Sequence, residues 1–212
     1  MTMIRVLIAD DHAVVREGVK HILSENGNIV VAGEAGNGHE VLSNILNKDF
    51  DVVLMDIAMP GRDGLEILKD IKNQKPKLPV LILSMFPEEQ YALRALKSGA
   101  SGYMTKESIP DELIRAVQKI AKGGKYISSS LSEKLFSLLD GDSEKAIHEN
   151  LSDREFQVMR MIASGKTLKE IAEELSLSVK TVSTYRSRIL EKMGMKNNAE
   201  MTHYAIKNRL VD

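Results

Sequence analysis

Five polar side chains in the first half of the chain stand where apolar runs stop. Asp10 and Asp11 follow the run 4–9, and Asp56 follows Val52-Val53-Leu54-Met55. Ser84 closes the run 79–84, and Lys106 lies just past 101–104. If the first and third runs are neighbours in one sheet, three carboxylates converge on one edge. Alone they would repel and raise one another's pKa values. A hard divalent cation resolves this: Mg²⁺ takes about six oxygen ligands, accepts a few carboxylates and keeps several waters. Such a site can hold a phosphoryl group against an aspartate nucleophile. Lys106 supplies a cation and Ser84 a hydroxyl for phosphoryl oxygens. An Asp after a strand often serves only as the N-cap of the next helix. That role suits any one of the three, but it does not explain five polar residues ending four strands. His12, beside the aspartates, is expected to be an exposed first-turn residue rather than a ligand. His21, His39, His148 and His203 have no zinc spacing.

The elements that must position these groups follow from periodicity. The runs 4–9, 29–35, 52–55, 79–84 and 101–104 read as strands. Segments at 12–24, 40–46, 65–71, 88–97 and around Leu113, Val117 and Ile120 place apolar residues at helical spacing. Five βα units with nearly continuous apolar strands predict a doubly wound α/β domain, its parallel sheet covered on both faces. Ligands in such sheets bind at the C-terminal strand ends. The strand order 2-1-3-4-5 of flavodoxin-like sheets, taken over here, makes strands 1 and 3 neighbours. Gly123-Gly124 closes the fifth helix. Residues 123–149 read as a linker, with a short apolar helix at 131–139 and a polar run at 140–143.

Composition sets the outer limits. The chain has 212 residues, 43% of them hydrophobic, which is enough for a packed core and suits two small domains. Cysteine is absent, so thiol nucleophiles, disulfides and Cys-based metal sites are excluded. The formal net charge of -1 excludes a uniformly basic coat protein. Residues 149–212 nevertheless carry 11 Lys and Arg against 9 Asp and Glu, so the second half leans basic. No apolar run approaches the ~20 residues of a membrane helix, and the first run ends in two aspartates, unlike a signal peptide. A soluble, cytoplasmic protein without membrane partners is expected.

From Asn150 onward the signals are all helical. Ser152 with Glu155, Thr167 with Glu170, and Asn197 with Glu200 have capping-box spacing, and Ser178 can cap the helix between the last two. Gly165 and Gly194 sit where helix C-caps favour glycine. Helices are expected at about 153–164, 168–175, 179–193 and 198–208. Only Ser176-Leu177-Ser178 joins the second to the third, the short turn of a helix-turn-helix. In the third, Val179, Val182, Ile189, Leu190 and Met193 are expected to pack inward. Ser183, Thr184 and Ser187 are short enough to reach base edges, and Lys180, Arg186, Arg188 and Lys192 could hold phosphates. Lys166 and Lys169 could hold the backbone where the preceding helix crosses it. An ordinary amphipathic helix with a solvated face is the competing reading. Met201, Tyr204 and Ala205 on the last helix either form a dimer element or complete the domain core.

Residues 1–122 resemble a response-regulator receiver domain: Asp10-Asp11, Asp56 followed by Met59-Pro60-Gly61 and Asp63-Gly64, then Ser84, then Tyr103 three before Lys106. The resemblance implies that Asp56 is the phosphoacceptor and that Asp10, Asp11, Asp56 and the Ala58 carbonyl hold Mg²⁺. It also implies that Ser84 and Tyr103 form the switch. Glu107 departs from the pattern, since many receivers have Pro there, with a cis bond. Residues 150–212 resemble LuxR/FixJ-type DNA-binding domains, through Leu151-Ser152-Asp153-Arg154-Glu155, Lys169-Glu170-Ile171-Ala172, Leu177-Ser178, Lys180-Thr181-Val182 and Lys192-Met193-Gly194. Leu168 departs, where Asn is common. Together they imply a two-component regulator of the NarL/FixJ class. It would be phosphorylated by a sensor histidine kinase, form a homodimer on phosphorylation and bind double-stranded promoter DNA. Its only catalysis would be Mg²⁺-dependent phosphorylation and dephosphorylation of itself. The alternative is a phosphorylation-independent DNA-binding regulator whose receiver docks partners; the intact carboxylate set argues against it. A haloacid-dehalogenase-type phosphatase fits worse, since position 12 is His rather than Asp. A flavodoxin would need a hydroxyl- and Gly-rich phosphate loop there. A metal-dependent phosphatase acting on external substrates would show turnover on small phosphoesters.

Overall fold

The computed structural model describes residues 3–128, 131–133 and 146–211. The chain divides into two compact units, 1–133 and 134–212. In the first, β1 (Ile4–Ala9), β2 (Ile29–Ala35), β3 (Val52–Asp56), β4 (Val80–Ser84) and β5 (Gly102–Thr105) form one sheet. They alternate with α1 (Ala13–Ser24), α2 (Gly38–Asn47), α3 (Gly64–Gln74), α4 (Glu88–Lys97) and α5 (Ile109–Ala121). All the pairings are parallel, in the expected order β2-β1-β3-β4-β5. Every residue of β3 and β4 is buried, as expected of central strands covered on both faces. On one face Val6, Ile8, Leu54, Leu81 and Leu83 join Val19 and Leu23 of α1 and Leu113, Val117 and Ile120 of α5 in one apolar cluster.

The register positions the polar ends. Ala9 pairs with Met55, so Asp10 and Asp56 leave adjacent strands at the same level. Asp56 pairs with Leu83 and Ser84 with Thr105, which carries the same edge across to β5 and Lys106. Two helix starts are set by residues the periodicity left aside. Asn37 accepts a bond from the Glu40 N–H and starts α2 at Gly38, and Asp63 accepts one from the Leu65 N–H at 2.7 Å and starts α3.

The expected linker begins inside this first unit. Tyr126 runs parallel to β5, its N–H donating to the Ser101 carbonyl at 2.9 Å and its carbonyl accepting from the Tyr103 N–H at 3.3 Å. Gly102 permits this approach, because a Cβ there would collide with the Tyr126 carbonyl oxygen. Ser128 then hydrogen-bonds Glu88 at the start of α4. Beyond Glu133 the expected helix to 139 and the polar run 140–143 lie outside the described residues.

The second unit contains α6 (Asp153–Ala163), α7 (Leu168–Glu174), α8 (Val179–Met193) and α9 (Asn198–Lys207), within a few residues of expectation. Ser152/Glu155 and Thr167/Glu170 are complete capping boxes, so Leu168 costs α7 no cap. Asn197 caps α9, but the Glu200 carboxylate accepts from the Lys196 N–H instead of closing a box. Gly194 ends α8 at φ 65°, a left-handed conformation that glycine adopts without strain. Phe156, Val158, Ile171, Val182, Ile189, Met201 and Ala205 form the core. Met201 and Ala205 are fully buried, and the Tyr204 hydroxyl lies 2.9 Å from His148 Nδ1. Met201 and Ala205 therefore complete the domain core, whereas Tyr204 is half-buried.

Val179 corrects another expectation. It is 48% exposed, whereas Val182 and Ile189 are fully covered. Side chains on a helix lean toward its N-terminus, and Val179 is the first helical residue, so its side chain leans out past the end of α8.

Candidate metal centre and nucleic-acid interface

At the C-terminal edge of the sheet, Asp10 and Asp56 are each 2% exposed. Neither caps a helix. The N-cap of α1 is His12, which makes no side-chain capping bond, and that of α3 is Asp63. Asp10 Oδ1 instead accepts the His12 N–H at 2.9 Å, and Asp56 Oδ1 accepts the Ala58 N–H at 3.0 Å. Their other oxygens face one ammonium: Lys106 Nζ lies 2.6 Å from Asp10 Oδ2 and 2.7 Å from Asp56 Oδ2. Lys106 reaches them from a 3-10 turn directly after β5. Asp11 is more open, and the exposed His12 ring lies 2.9 Å from its Oδ1. One donor atom each from Asp10, Asp11, His12 and Asp56 falls within 4.8 Å of the others.

Burial pushes the Asp56 carboxyl up, and the Lys106 ammonium and Ala58 N–H only partly offset this, so its pKa ends above the usual carboxylate value. Burial pulls the Lys106 pKa down, but bonds to Asp10 and Asp56 outweigh it, so Lys106 is held protonated. One ammonium against three carboxylates leaves net negative charge around a set of hard oxygen donors. That donor set fits a divalent cation of the Mg²⁺ type. The Ala58 carbonyl belongs to the loop that Asp56 Oδ1 already holds. Arg16, which the sequence reading passed over, donates to the Asp10 carbonyl at 2.8 Å and pairs with Glu34 at 3.1 Å, anchoring the acidic loop to α1 and β2. Its only sequence signal is a position six residues past Asp10, which no local rule singles out.

Ser84 and Tyr103 are both fully buried and both hold Phe86. Ser84 Oγ accepts the Phe86 N–H at 3.1 Å, and the Tyr103 hydroxyl donates to the Phe86 carbonyl at 2.7 Å. One loop is thus tied to β4 and to β5, and the Phe86 ring stacks on Tyr91 of α4 at 5.0 Å. No cis peptide occurs among the described residues, including the bond before Glu107.

In the second unit Lys180, Ser183, Thr184, Ser187 and Arg188 are all exposed on α8. Lys180, Thr184 and Arg188, one turn apart, line an open depression of ≈ 330 Å³ with Ser178, Thr181 and Tyr185. Thr184 and Ser187 donate their hydroxyls to the carbonyls four residues back, at 3.0 and 3.1 Å, which leaves oxygen lone pairs pointing outward. Thr181 lies 2.8 Å from the Ser178 hydroxyl and shares the helix cap. Other expected phosphate contacts already have protein partners. Lys192 Nζ lies 2.6 Å from the buried Glu155 carboxylate, and Arg186 Nε donates to Asn198 at 2.6 Å. Lys166 pairs with Glu174, and Lys169 lies 4.0 Å from Glu173.

Comparison with known proteins agrees with both halves. The response regulator receiver domain family matches residues 6–118, and the bacterial regulatory proteins of the luxR family match residues 149–205. The response regulator UvrY of Escherichia coli K12 is 35% identical over 209 residues, 98% of this chain and 96% of UvrY. The oxygen regulatory protein NreC of Staphylococcus aureus is 35% identical over 215 residues, 98% of this chain and 99% of NreC. RcsB of Salmonella enterica serovar Typhimurium, solved bound to the rprA promoter with the phosphomimetic BeF3⁻, superimposes with a TM-score of 0.67 at 27% identity, covering 96% of this chain and 98% of RcsB. Among the described residues no helix is long and apolar enough to cross a membrane. The chain belongs to the NarL/FixJ class of two-component response regulators, in which a receiver domain precedes a LuxR-type helix-turn-helix that binds DNA.

Proposed function

We propose that this regulator is switched by phosphorylation of Asp56 by a sensor histidine kinase. The observation that carries the reading is the Lys106 ammonium held 2.6 and 2.7 Å from two buried carboxylates on adjacent strands. Asp10, Asp11, Asp56 and the Ala58 carbonyl would hold Mg²⁺, which when bound neutralises charge on the transferring group. An Asp56 carboxylate oxygen attacks phosphorus, the P–N bond to the kinase imidazole breaks, and an acyl phosphate remains on Asp56. Lys106 then pairs with a phosphoryl oxygen. Ser84 turns its hydroxyl toward another and gives up the Phe86 N–H, while Tyr103 holds the carbonyl of that same residue. The loop after β4 is therefore the two-state element that the phosphoryl group biases. The outcome is a homodimer that sets paired α8 helices on promoter half-sites about 10 base pairs apart.

Within α8, Ser183, Thr184 and Ser187 read base edges. Lys180, Arg188 and Arg186 hold phosphates, supported by the cap residue Thr181, and Lys166 and Lys169 hold the backbone across α7. Exposure of Lys180, Ser183, Thr184, Ser187 and Arg188, beside the Lys180–Arg188 depression, supports this division. The test is labelling with acetyl phosphate, with and without Mg²⁺, followed by selection of duplex DNA by the labelled protein. Labelling should require Mg²⁺ and vanish in Asp56→Asn, and full labelling of that variant would remove the assignment.

A further inference from the structure

We propose that Val179 is a specificity-determining residue that reads a thymine methyl group. The proposal rests on the reading of α8 as the base-reading helix and deepens it.

The exposed face of α8 carries two rows at four-residue spacing, along which side chains are neighbours. Lys180, Thr184 and Arg188 make one row, with cations at both ends and a shared depression. Val179, Ser183 and Ser187 make the other, all exposed and none charged. Phosphate oxygens call for the two cations at the ends of the first row, while Thr184 between them joins the base-reading set. Base edges, which present acceptors, donors and one methyl group, are matched by the second. Eight residues at 1.5 Å per residue make the uncharged row about 12 Å long. At 3.4 Å per base step it spans about three to four base pairs. Val179 therefore extends the reading row by one position beyond the two serines.

The chemistry at that position is distinctive. Valine offers two methyl groups and no hydrogen-bonding atom, so neither a phosphate nor a polar base edge rewards it. Its neighbours keep it out of the core: Ser178 caps the helix, and the apolar face is filled by Val182, Ile189 and Met193. The side chain leans past the N-terminal end of α8, the end that a recognition helix presents to base edges in the major groove. The apolar group available there is the thymine C5-methyl. An exposed valine in water gains nothing; a valine against that methyl removes both from solvent.

The test compares thymine with deoxyuridine, which differs only by the methyl. Full-length protein, treated with acetyl phosphate and Mg²⁺, first selects its site from random duplexes. Each thymine of the selected site is then replaced singly by deoxyuridine, and binding is measured for the native chain, Val179→Ala, Val179→Ile and Ser183→Ala. The native chain should lose about fourfold at one thymine beyond the base pairs sensitive to Ser183, the worth of one methyl removed from water. Val179→Ala should bind thymine and deoxyuridine equally there, while Val179→Ile and Ser183→Ala keep the difference. If a site is selected but the native chain and Val179→Ala show the same thymine penalties throughout, the Val179 assignment is overturned and the helix reading stands. If no sequence is selected at all, both fall.

Discussion

Lys192 should matter to the stability of the second unit rather than to its affinity for DNA. By position it is a candidate phosphate contact, but its ammonium sits 2.6 Å from Glu155, whose side chain is 4% exposed. That carboxylate also accepts the Ser152 N–H at 2.8 Å, closing the capping box that starts α6. Lys192→Ala removes one charge-assisted bond to a buried group, worth about 1.5–3 kcal/mol. The Ser152 bond remains, so the carboxylate is not orphaned, and about 2 kcal/mol is the reasonable expectation. That corresponds to a roughly 30-fold larger equilibrium population of the opened second unit, read as faster hydrogen exchange of α6 amides in the full chain. Amides of β3 and β4 in the first unit should be unchanged. A salt series of DNA binding completes the test. Because Lys192 is spent internally, the slope of log affinity against log salt should not fall in the variant. Unchanged α6 exchange together with a slope reduced by about one would show that Lys192 contacts phosphate, and would refute the structural assignment.

The same pair predicts a pH dependence. Burial pushes the Glu155 carboxyl up, but its bonds to Lys192 and Ser152 outweigh burial and hold its pKa below the usual carboxylate value. The stabilisation is therefore full above the unfolded value and is lost as pH falls through the depressed folded one, so Glu155→Gln should flatten the acid limb of a stability curve for the second unit. The phosphorylated form should persist on the order of tens of minutes, because hydrolysis needs an oriented water and the side chains two past Asp56 and Ser84 are Ala58 and the Phe86 ring stacked on Tyr91. A lifetime of seconds in purified protein would contradict that. Asp11→Ala should raise the Mg²⁺ concentration needed for labelling while leaving the fold intact, since Asp11 is not buried and contributes one hard oxygen; titrating Mg²⁺ against labelling checks it.

Much of this was legible before any coordinates. Strands β3 and β4 are legible as continuous apolar runs too short for a helix, the pattern of strands buried on both faces. The helix boundaries of the second unit follow from Ser152, Thr167, Ser178 and Asn197, whose capping chemistry is local in sequence. What stayed hidden depends on contacts between distant residues. Lys192 meets Glu155 across 37 positions, and Arg16 reaches Asp10 through a backbone carbonyl that no motif marks. Tyr126 lies along β5 because Gly102 has no side chain, a fact about space rather than periodicity. Val179 was misplaced because helical spacing treats every turn alike and does not know that the first turn projects beyond its cover.

The central claim is that Asp56 carries the phosphoryl group in a Mg²⁺ site gripped by Lys106. Borohydride reduces an aspartyl phosphate to homoserine, so the modified residue can be located by mass spectrometry. Full-length protein should be incubated with acetyl phosphate, with Mg²⁺ or with EDTA, then reduced and digested. The account predicts homoserine at position 56 only in the Mg²⁺ sample, and none at Asp10 or Asp11. Homoserine at Asp10 or Asp11, or equal conversion of Asp56 in EDTA, would contradict it.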